Sequence, residues 1–387
     1  MRLRQCRGRC QQGRPHHRHR QRASHRSCPV QRPRSRDHSR RASRCHFVAL
    51  RGIFEAVQGQ LGAPSLGSRV GDRYTLERVL GSGAMGSVFE ANDGEGARFA
   101  LKTLLAPPAK GDAAERRARF LREAAVCATI HHPNVVPVVD HGIDAATDVP
   151  YLVMPLLEGE DLAAVLDRVR CLEPSVAVAL VVQACAGLEA VHARGIVHRD
   201  VKPSNLFLEN AGADVVVKVT DFGLAKAFDA TGERGALTAT GRFMGTPQYV
   251  SPEQAVSAKH VDVRSDVFSL AMSLYHALSG APAFAYVRSF MGLVLELTSR
   301  EAPSLQDAAP WVPAPVARIV HAALLRERSA RCPSVGELAL ALDSAVGIDA
   351  SRRPVLRESL RPASDVTKAV VARRAEPVGS WDDLLRT

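Results

Sequence analysis

The stretch His198-Arg199-Asp200-Val201-Lys202-Pro203-Ser204-Asn205, followed by Asp221-Phe222-Gly223, constrains this chain more than any other. It sets a carboxylate, a cation and an amide at fixed offsets on one loop, and brings a second carboxylate after a hairpin's worth of residues. Moving a phosphoryl group needs that set: a group to orient the incoming hydroxyl, a cation for the phosphate, and oxygen ligands for magnesium. A turn capped by Asp and Asn accounts for either residue alone. It does not account for the whole pattern H-R-D-x-x-x-x-N plus D-F-G.

A second motif lies upstream. Leu80-Gly81-Ser82-Gly83-Ala84-Met85-Gly86-Ser87-Val88 reads G-x-G-x-x-G-x-V, and glycines let a backbone close over phosphates where a Cβ would intrude. Alone it fits an ordinary hairpin. A dinucleotide fingerprint runs strand, loop, helix, whereas this loop lies between two β-rich runs; no Gly-Lys-Ser/Thr follows, which excludes a Walker A loop. Lys102 ends Phe99-Ala100-Leu101-Lys102, and alternation puts it on the face of Ala100, a residue small enough to line a cleft. Lysines in apolar strands are commonly surface residues. Glu123, on a charged helical stretch, is within reach of the same cleft, and an ion pair Lys102–Glu123 would hold the ammonium against the α- and β-phosphates. Without Lys102, Glu123 would read as a solvated helix glutamate.

Periodicity organises the rest. Tyr74–Leu80, Ser87–Ala91, Arg98–Thr103, Val135–Asp140 and Tyr151–Met154 read as strands. Asp112–Ile130 reads as a helix with Phe120, Leu121, Ala124 and Ile130 inward. After Gly159 the character is helical: Glu173–Arg194 with Pro174 in its first turn, Val263–Ser279, Val316–Arg326, and Ser334–Val346 with Glu337 completing a capping box. These elements run over residues 74–346, the stretch that the resemblance described next assigns to the catalytic domain.

With these motifs in this order, the chain resembles the eukaryotic-type (Hanks-type) Ser/Thr protein kinases, and among them the bacterial members. The resemblance implies an α+β bilobal fold, with a small β-rich N-lobe carrying one helix and a larger, mainly helical C-lobe. It implies ATP- and Mg2+-dependent transfer of the γ-phosphoryl group to Ser/Thr hydroxyls of protein substrates. Asp200 would accept or orient the hydroxyl proton and Lys202 neutralise the moving phosphate, while Asn205 and Asp221 hold magnesium. The nucleotide site would comprise Leu80 to Val88 with Ala100, Lys102, Glu123, Pro155, Leu157 and Phe207. Pro155 stands where the family commonly has Glu; it keeps the carbonyl that adenine needs and loses only N–H, and Leu157 supplies the amide. Ala100 above and Phe207 below would sandwich the base.

The same resemblance assigns Gly245-Thr246-Pro247-Gln248-Tyr249-Val250-Ser251-Pro252-Glu253 to the wall that receives the substrate, with Ser-Pro-Glu for the usual Ala-Pro-Glu. Glu253 would pair with Arg331, and Asp266 would clamp the catalytic-loop backbone. Arg199 beside Asp200 implies control by a phosphate in the activation loop, at Thr238 or Thr240 rather than Thr231. Two alternatives remain from other classes. A pseudokinase would bind nucleotide or partners without transfer, but such proteins commonly lose a residue equivalent to Lys102, Asp200 or Asp221, and all three stand. A small-molecule kinase of the aminoglycoside-phosphotransferase kind usually lacks a segment ending in Pro-Glu. Bacterial members also suggest a transient homodimer through the small lobe.

Charge argues against a nucleic-acid partner for the folded part. The net charge is +11, but residues 1–51 hold sixteen Arg, no Lys and Asp37 as the one acid, so the remainder carries −4. Residues 1–60, basic and rich in Arg and His, are expected to be disordered. Arginine without lysine is the composition of a translated GC-rich upstream stretch, so a start set too early is the leading reading, a solvated arm the second, and weak, salt-sensitive nucleic-acid contact the last. Residues 347–387 read as a disordered tail. Eight cysteines without a C-x-x-C pair point to free thiols rather than zinc. There is no run of eighteen apolar residues and no secretory h-region, so no membrane span and a cytoplasmic location are expected.

Overall fold

Short runs of alternating apolar and polar residues, broken by Gly and Asp, fold the first part of the chain into a sheet. The computed structural model describes residues 64–83, 86–104, 113–222, 247–257, 261–346, 354–364 and 379–386. Strands β1 (Arg69–Val70), β2 (Tyr74–Gly83), β3 (Gly86–Asn92) and β4 (Arg98–Leu104) precede helix α1 (Ala113–Ala128), followed by β5 (Asp140–Ile143) and β6 (Pro150–Pro155). They form one antiparallel sheet in the order β1-β2-β3-β4-β6-β5. Gly86 opens β3 at φ +144°, where a Cβ would fall 1.8 Å from the Thr103 carbonyl oxygen, so a side chain there would push β3 off β4. On α1 the buried face is Phe120, Ala124 and Cys127, packed toward β5 and β6. Leu121, expected inward, is 39% exposed, because the i, i+4, i+7 stripe bypasses it.

Val135–Asp140 is not the strand its β-branched residues suggest. Pro137 has no N–H to give a ladder. Val135 N–H turns back to His132 O, and Val136 N–H goes to Val219 O, each at 3.0 Å. Regular pairing with β6 starts at Asp140.

The second lobe is built from β7 (Gly159–Asp161), α2 (Leu162–Val169), α3 (Pro174–His192), β8 (Leu206–Ala211), β9 (Asp214–Val219), α4 (Pro252–Val256), α5 (Val263–Ser279), α6 (Phe290–Ser299), α7 (Leu305–Ala308), α8 (Ala314–Ala323) and α9 (Val335–Val346). By length and composition alone α3 is apolar enough to cross a membrane, although no uninterrupted apolar run reveals it. Here it is the central core helix: Val178, Leu180, Val181, Cys185 and Leu188 are buried among α5, α9 and β9. Ser334 Oγ accepts from Glu337 N–H at 3.2 Å to start α9, as the capping pattern predicts.

Two stretches of the expected tail are folded against this lobe. β10 (Val355–Leu356) pairs antiparallel with β9, giving a second sheet ordered β10-β9-β8-β7. Val355, Leu360 and Ala363 are buried, as is Trp381 at the start of α10 (Trp381–Leu385). The Trp381 indole N–H donates to Glu337 Oε2 at 3.2 Å. These apolar residues are too sparse to form a periodic pattern. They find burial on surface that α2, α3, α8 and α9 have already made, which no local window of sequence displays. Residues 1–60 lie outside the described residues.

Asn134 ties the segment after α1 to β9. Its side-chain amide donates to Val217 O at 2.9 Å, and its carbonyl accepts from Val219 N–H at 2.8 Å. Gly187 of α3 lies directly beneath: a Cβ there would sit 2.3 Å from the Asn134 carbonyl oxygen. In a free helix Gly→Ala stabilises by about 1 kcal/mol. Here the clash is with backbone hydrogen-bonded on both sides, so Gly187→Ala is expected to destabilise by about 1–3 kcal/mol, measured as a lowered urea midpoint.

Candidate active site

The buried carboxylate of Asp266, in the first turn of α5, organises the catalytic loop. Oδ2 accepts from His198 N–H and Oδ1 from Arg199 N–H, both at 2.8 Å, and His192 Nε2 lies 2.8 Å from Oδ2. The cap of α5 is a different residue, Asp262, whose Oδ1 accepts from Arg264 N–H. The expected clamp is thus present, and it is not a cap. Arg199 adopts φ +63°, a conformation that costs a non-glycine residue on the order of 1–3 kcal/mol. It is held from both sides, because Gln254 Nε2 donates to Arg199 O at 2.8 Å. Gln254 is a site residue that sequence reasoning passed over. Its signal was there: Ser251-Pro252-Glu253-Gln254 is a capping box, and the box is formed.

His198 is buried and bonded at both ring nitrogens. Nδ1 accepts from Asp200 N–H at 3.3 Å, and Nε2 faces Thr220 O at 2.9 Å. A carbonyl can only accept, so Nε2 carries the proton and the neutral ring joins the catalytic loop to the strand end before Asp221. Asp200 Oδ2 then accepts from Lys202 Nζ at 2.9 Å and from Asn205 Nδ2 at 3.1 Å. The Asn205 amide nitrogen also donates to Asp200 O at 2.8 Å. With its nitrogen so used, Asn205 offers Oδ1 as its remaining polar atom. Asp221 follows at φ +61°, after Thr220 N–H has bonded Asn205 O at 3.0 Å.

These groups open on a cleft of about 650 Å³ between the two sheets. Leu80, Gly81, Ser82, Gly83, Gly86, Val88, Ala100, Lys102, Pro155, Leu157, Asp200, Lys202, Asn205, Phe207 and Asp221 all line it. Ala84 and Met85, with Gly223, Gly245, Thr246 and the threonines 231, 238 and 240, lie outside the described residues. Ser87 is not among the lining residues; it sits across the hairpin from Ser82, hydroxyl to hydroxyl at 3.0 Å. Ala100 comes from β4 and Phe207 from β8, so the two face the cleft from different sheets.

Glu123 is a further exception. It is half-buried on α1 and absent from the cleft lining, and the expected pair with Lys102 is not formed. Lys102 Nζ instead pairs with Asp221 Oδ1 at 2.6 Å. Burial raises the Glu123 carboxyl above the usual range, with Arg119 the largest opposing influence and Arg199 the next. Helical spacing fixes which face Glu123 occupies; it does not fix how far α1 stands from β4, and that distance decides the pair.

Comparison with known proteins agrees with this geometry. Residues 74–313 match the protein kinase domain family. The chain belongs to that family. PknA of Mycobacterium tuberculosis, a serine/threonine-protein kinase, is 34% identical over 313 residues, covering 80% of this chain and 69% of PknA. A probable serine/threonine-protein kinase of Corynebacterium efficiens is 35% identical over 280 residues, 71% of this chain but 41% of that protein. The kinase domain of M. tuberculosis PknI, solved by crystallography, superposes with a TM-score of 0.56 at 29% identity, over 73% of this chain and all of that one. The serine/threonine-kinase resemblance and the bilobal fold therefore hold.

In this kinase the segment Ser251–Glu253 is anchored from below. Arg331, 2% exposed, donates through Nη1 and Nη2 to the two Glu253 oxygens, both at 2.8 Å. Ser265 Oγ adds a bond to Glu253 Oε1 at 2.5 Å. Burial pushes the Glu253 carboxyl up, but the Arg331 and Ser265 bonds prevail and leave it at about 2. A carboxyl depressed in the folded state stabilises above its unfolded value of about 4.3, and that stability is lost as pH falls toward the folded value. The kinase is expected to lose on the order of 3 kcal/mol between about pH 5 and pH 2 from this group. Arg331→Ala, which strands a buried carboxylate, is expected to cost about 3–5 kcal/mol at pH 7. Urea titrations across that pH range check both, and Glu253→Gln is expected to flatten the acid limb.

Proposed function

We propose that this kinase transfers the γ-phosphoryl group of ATP to Ser/Thr hydroxyls of proteins, through Asp200, Lys202, Asn205 and Asp221. The observation that carries the reading is the convergence of Lys202 and Asn205 on one Asp200 oxygen, beside a cleft roofed by a glycine hairpin and floored by Phe207. The Asp200 carboxylate takes the proton of the incoming hydroxyl as its oxygen bonds to phosphorus and the bond to the β-phosphate oxygen breaks, with ADP as the leaving product. Lys202, already 2.9 Å from Asp200, places a positive charge beside the transferring group. Lys102 sits where it can exchange Asp221 for phosphate oxygens. The Pro155 carbonyl and Leu157 amide hold adenine at the edge of β6, between Ala100 and Phe207.

Asn205 and Asp221 fit a magnesium ion: both offer hard oxygen ligands, and two protein ligands leave positions for water and phosphate, as this cation prefers. When bound, magnesium neutralises charge on the phosphates. Among the described residues no cluster of three or more His, Cys, Asp or Glu competes as a metal site.

The pseudokinase alternative finds no support, because the lysine, the catalytic-loop aspartate and the D-F-G aspartate all reach one cleft. Thr238 and Thr240 are proposed as activation-loop acceptors. Incubation of the chain with magnesium and labelled ATP is expected to label wild type. An Asp200→Asn variant should transfer at least about 10²-fold less while binding nucleotide with similar affinity. Equal transfer by the variant would remove Asp200 from its role; nucleotide binding without transfer by wild type would return the pseudokinase.

A further inference from the structure

The segment 354–364 grips the floor of the nucleotide cleft at both edges. At one edge β10 adds to β9, with Arg357 N–H donating to Ala213 O at 3.0 Å. The chain then runs to the α2–α3 junction. There Ala363 N–H donates to Cys171 O at 3.1 Å and Ser364 N–H to Glu173 Oε1 at 2.7 Å. Val355, Leu360 and Ala363 are buried along this path. At the other edge, Arg168 of α2 ties the strap to β7. Its Nη1 donates to Leu360 O at 3.3 Å, and its Nη2 to Glu160 Oε1 at 2.6 Å.

Glu160 is a telling partner. It lies three residues past Leu157 and next to Asp161, which lines the cleft and caps α2 through Ala164 N–H. In the ladder Asp161 is opposite Phe207, and Glu160 opposite Leu208. The sheet spanned by the strap thus carries Asp161 and Phe207, starts just after Asn205 and ends just before Thr220 and Asp221. A free guanidinium would have little reason to stand still at this surface, where Arg168 and Glu160 are about half exposed. The strap carbonyl gives it a second anchor and so a fixed place.

We propose that the docked segment 354–364, acting through Arg168, is a positioning element for the nucleotide site. Leu360 O fixes the guanidinium, Arg168 fixes Glu160, and Glu160 sets the strand that leaves the hinge and pairs with the Phe207 strand. The claim rests on the cleft being a nucleotide site, as proposed above. It makes the C-terminal strap a determinant of ATP affinity, with no contact between strap and ligand.

The test is the dissociation constant of a fluorescent ATP analogue with magnesium, measured on the full chain, alongside amide exchange at Arg357 and Ala363 and the melting temperature. Leu360→Asp is expected to release the strap and speed exchange at both amides. Arg168→Ala and Leu360→Asp should each weaken nucleotide binding about threefold to fivefold, the range one exposed guanidinium–carboxylate tie supplies. The double variant should be no weaker than either single one, because both cut one chain of contacts. Arg168→Lys, able to reach one of the two acceptors, should fall between. A purely structural strap would lower the melting temperature and leave the affinity of the folded protein at the wild-type value. That result, or full additivity in the double variant, overturns the proposal. Arg168→Ala, at an exposed site, decides alone if Leu360→Asp does not fold. Failure of wild type itself to bind the analogue would overturn the reading of the cleft instead, and the strap's role with it.

Discussion

The Asp266 carboxylate lies fully out of solvent in the first turn of α5 and takes three polar partners: two successive backbone amides and a histidine ring. A buried charge without such partners would be costly. With them, it becomes a rigid point to which the catalytic loop is tied. The backbone of its strained residue, Arg199, donates to Asp266 and accepts from Gln254. Remove the tie and φ +63° at Arg199 relaxes, and Asp200 loses its fixed direction. The chemistry at the mouth of the cleft therefore depends on a residue that touches neither substrate nor nucleotide.

The remaining parts follow from the same logic of strain opposed by paired polar groups. Asp221 is, after Arg199, the site's other non-glycine residue at positive φ, held on one side by the Thr220–Asn205 backbone bond and on the other by Lys102. His198 bridges the two loops through a single neutral tautomer. Glu253 and Arg331 form a nearly closed ion pair that fixes where the Ser251–Gln254 turn stands, and this turn returns Gln254 to Arg199. Loop, strand end and turn are mutually braced within the large lobe, and Lys102 of β4 adds the small lobe's tie at Asp221.

Much of this was legible in the residues. Asp200, Lys202, Asn205 and Asp221 announce their chemistry by spacing on one loop and one strand end, where a few bonds fix relative positions. Asp266, Glu253 and Arg331 were placed by the resemblance, and each makes the contact it implies. The failures have separate causes. Glu123 misses Lys102 because helical periodicity fixes a face, not the distance between a helix and a strand. Val135–Asp140 misses its strand because two amides are taken by His132 and Val219, one local and one far off in sequence. Leu121 is exposed because it lies one position past Phe120, off the Phe120–Ala124–Cys127 stripe that is buried.

The sequence by itself determined the reactive groups and most of the regular elements, because these depend on local spacing and short-range alternation, and the two-lobed class came through the resemblance those motifs carry. Only the tertiary structure decided that Lys102 faces Asp221, that Gln254 holds Arg199, and that Val355, Leu360, Ala363 and Trp381 dock on the large lobe. Those outcomes depend on surfaces assembled from elements far apart in the chain. A single apolar residue in a polar stretch gains its burial energy only once such a surface exists, so its pattern carries no signal until the fold is made.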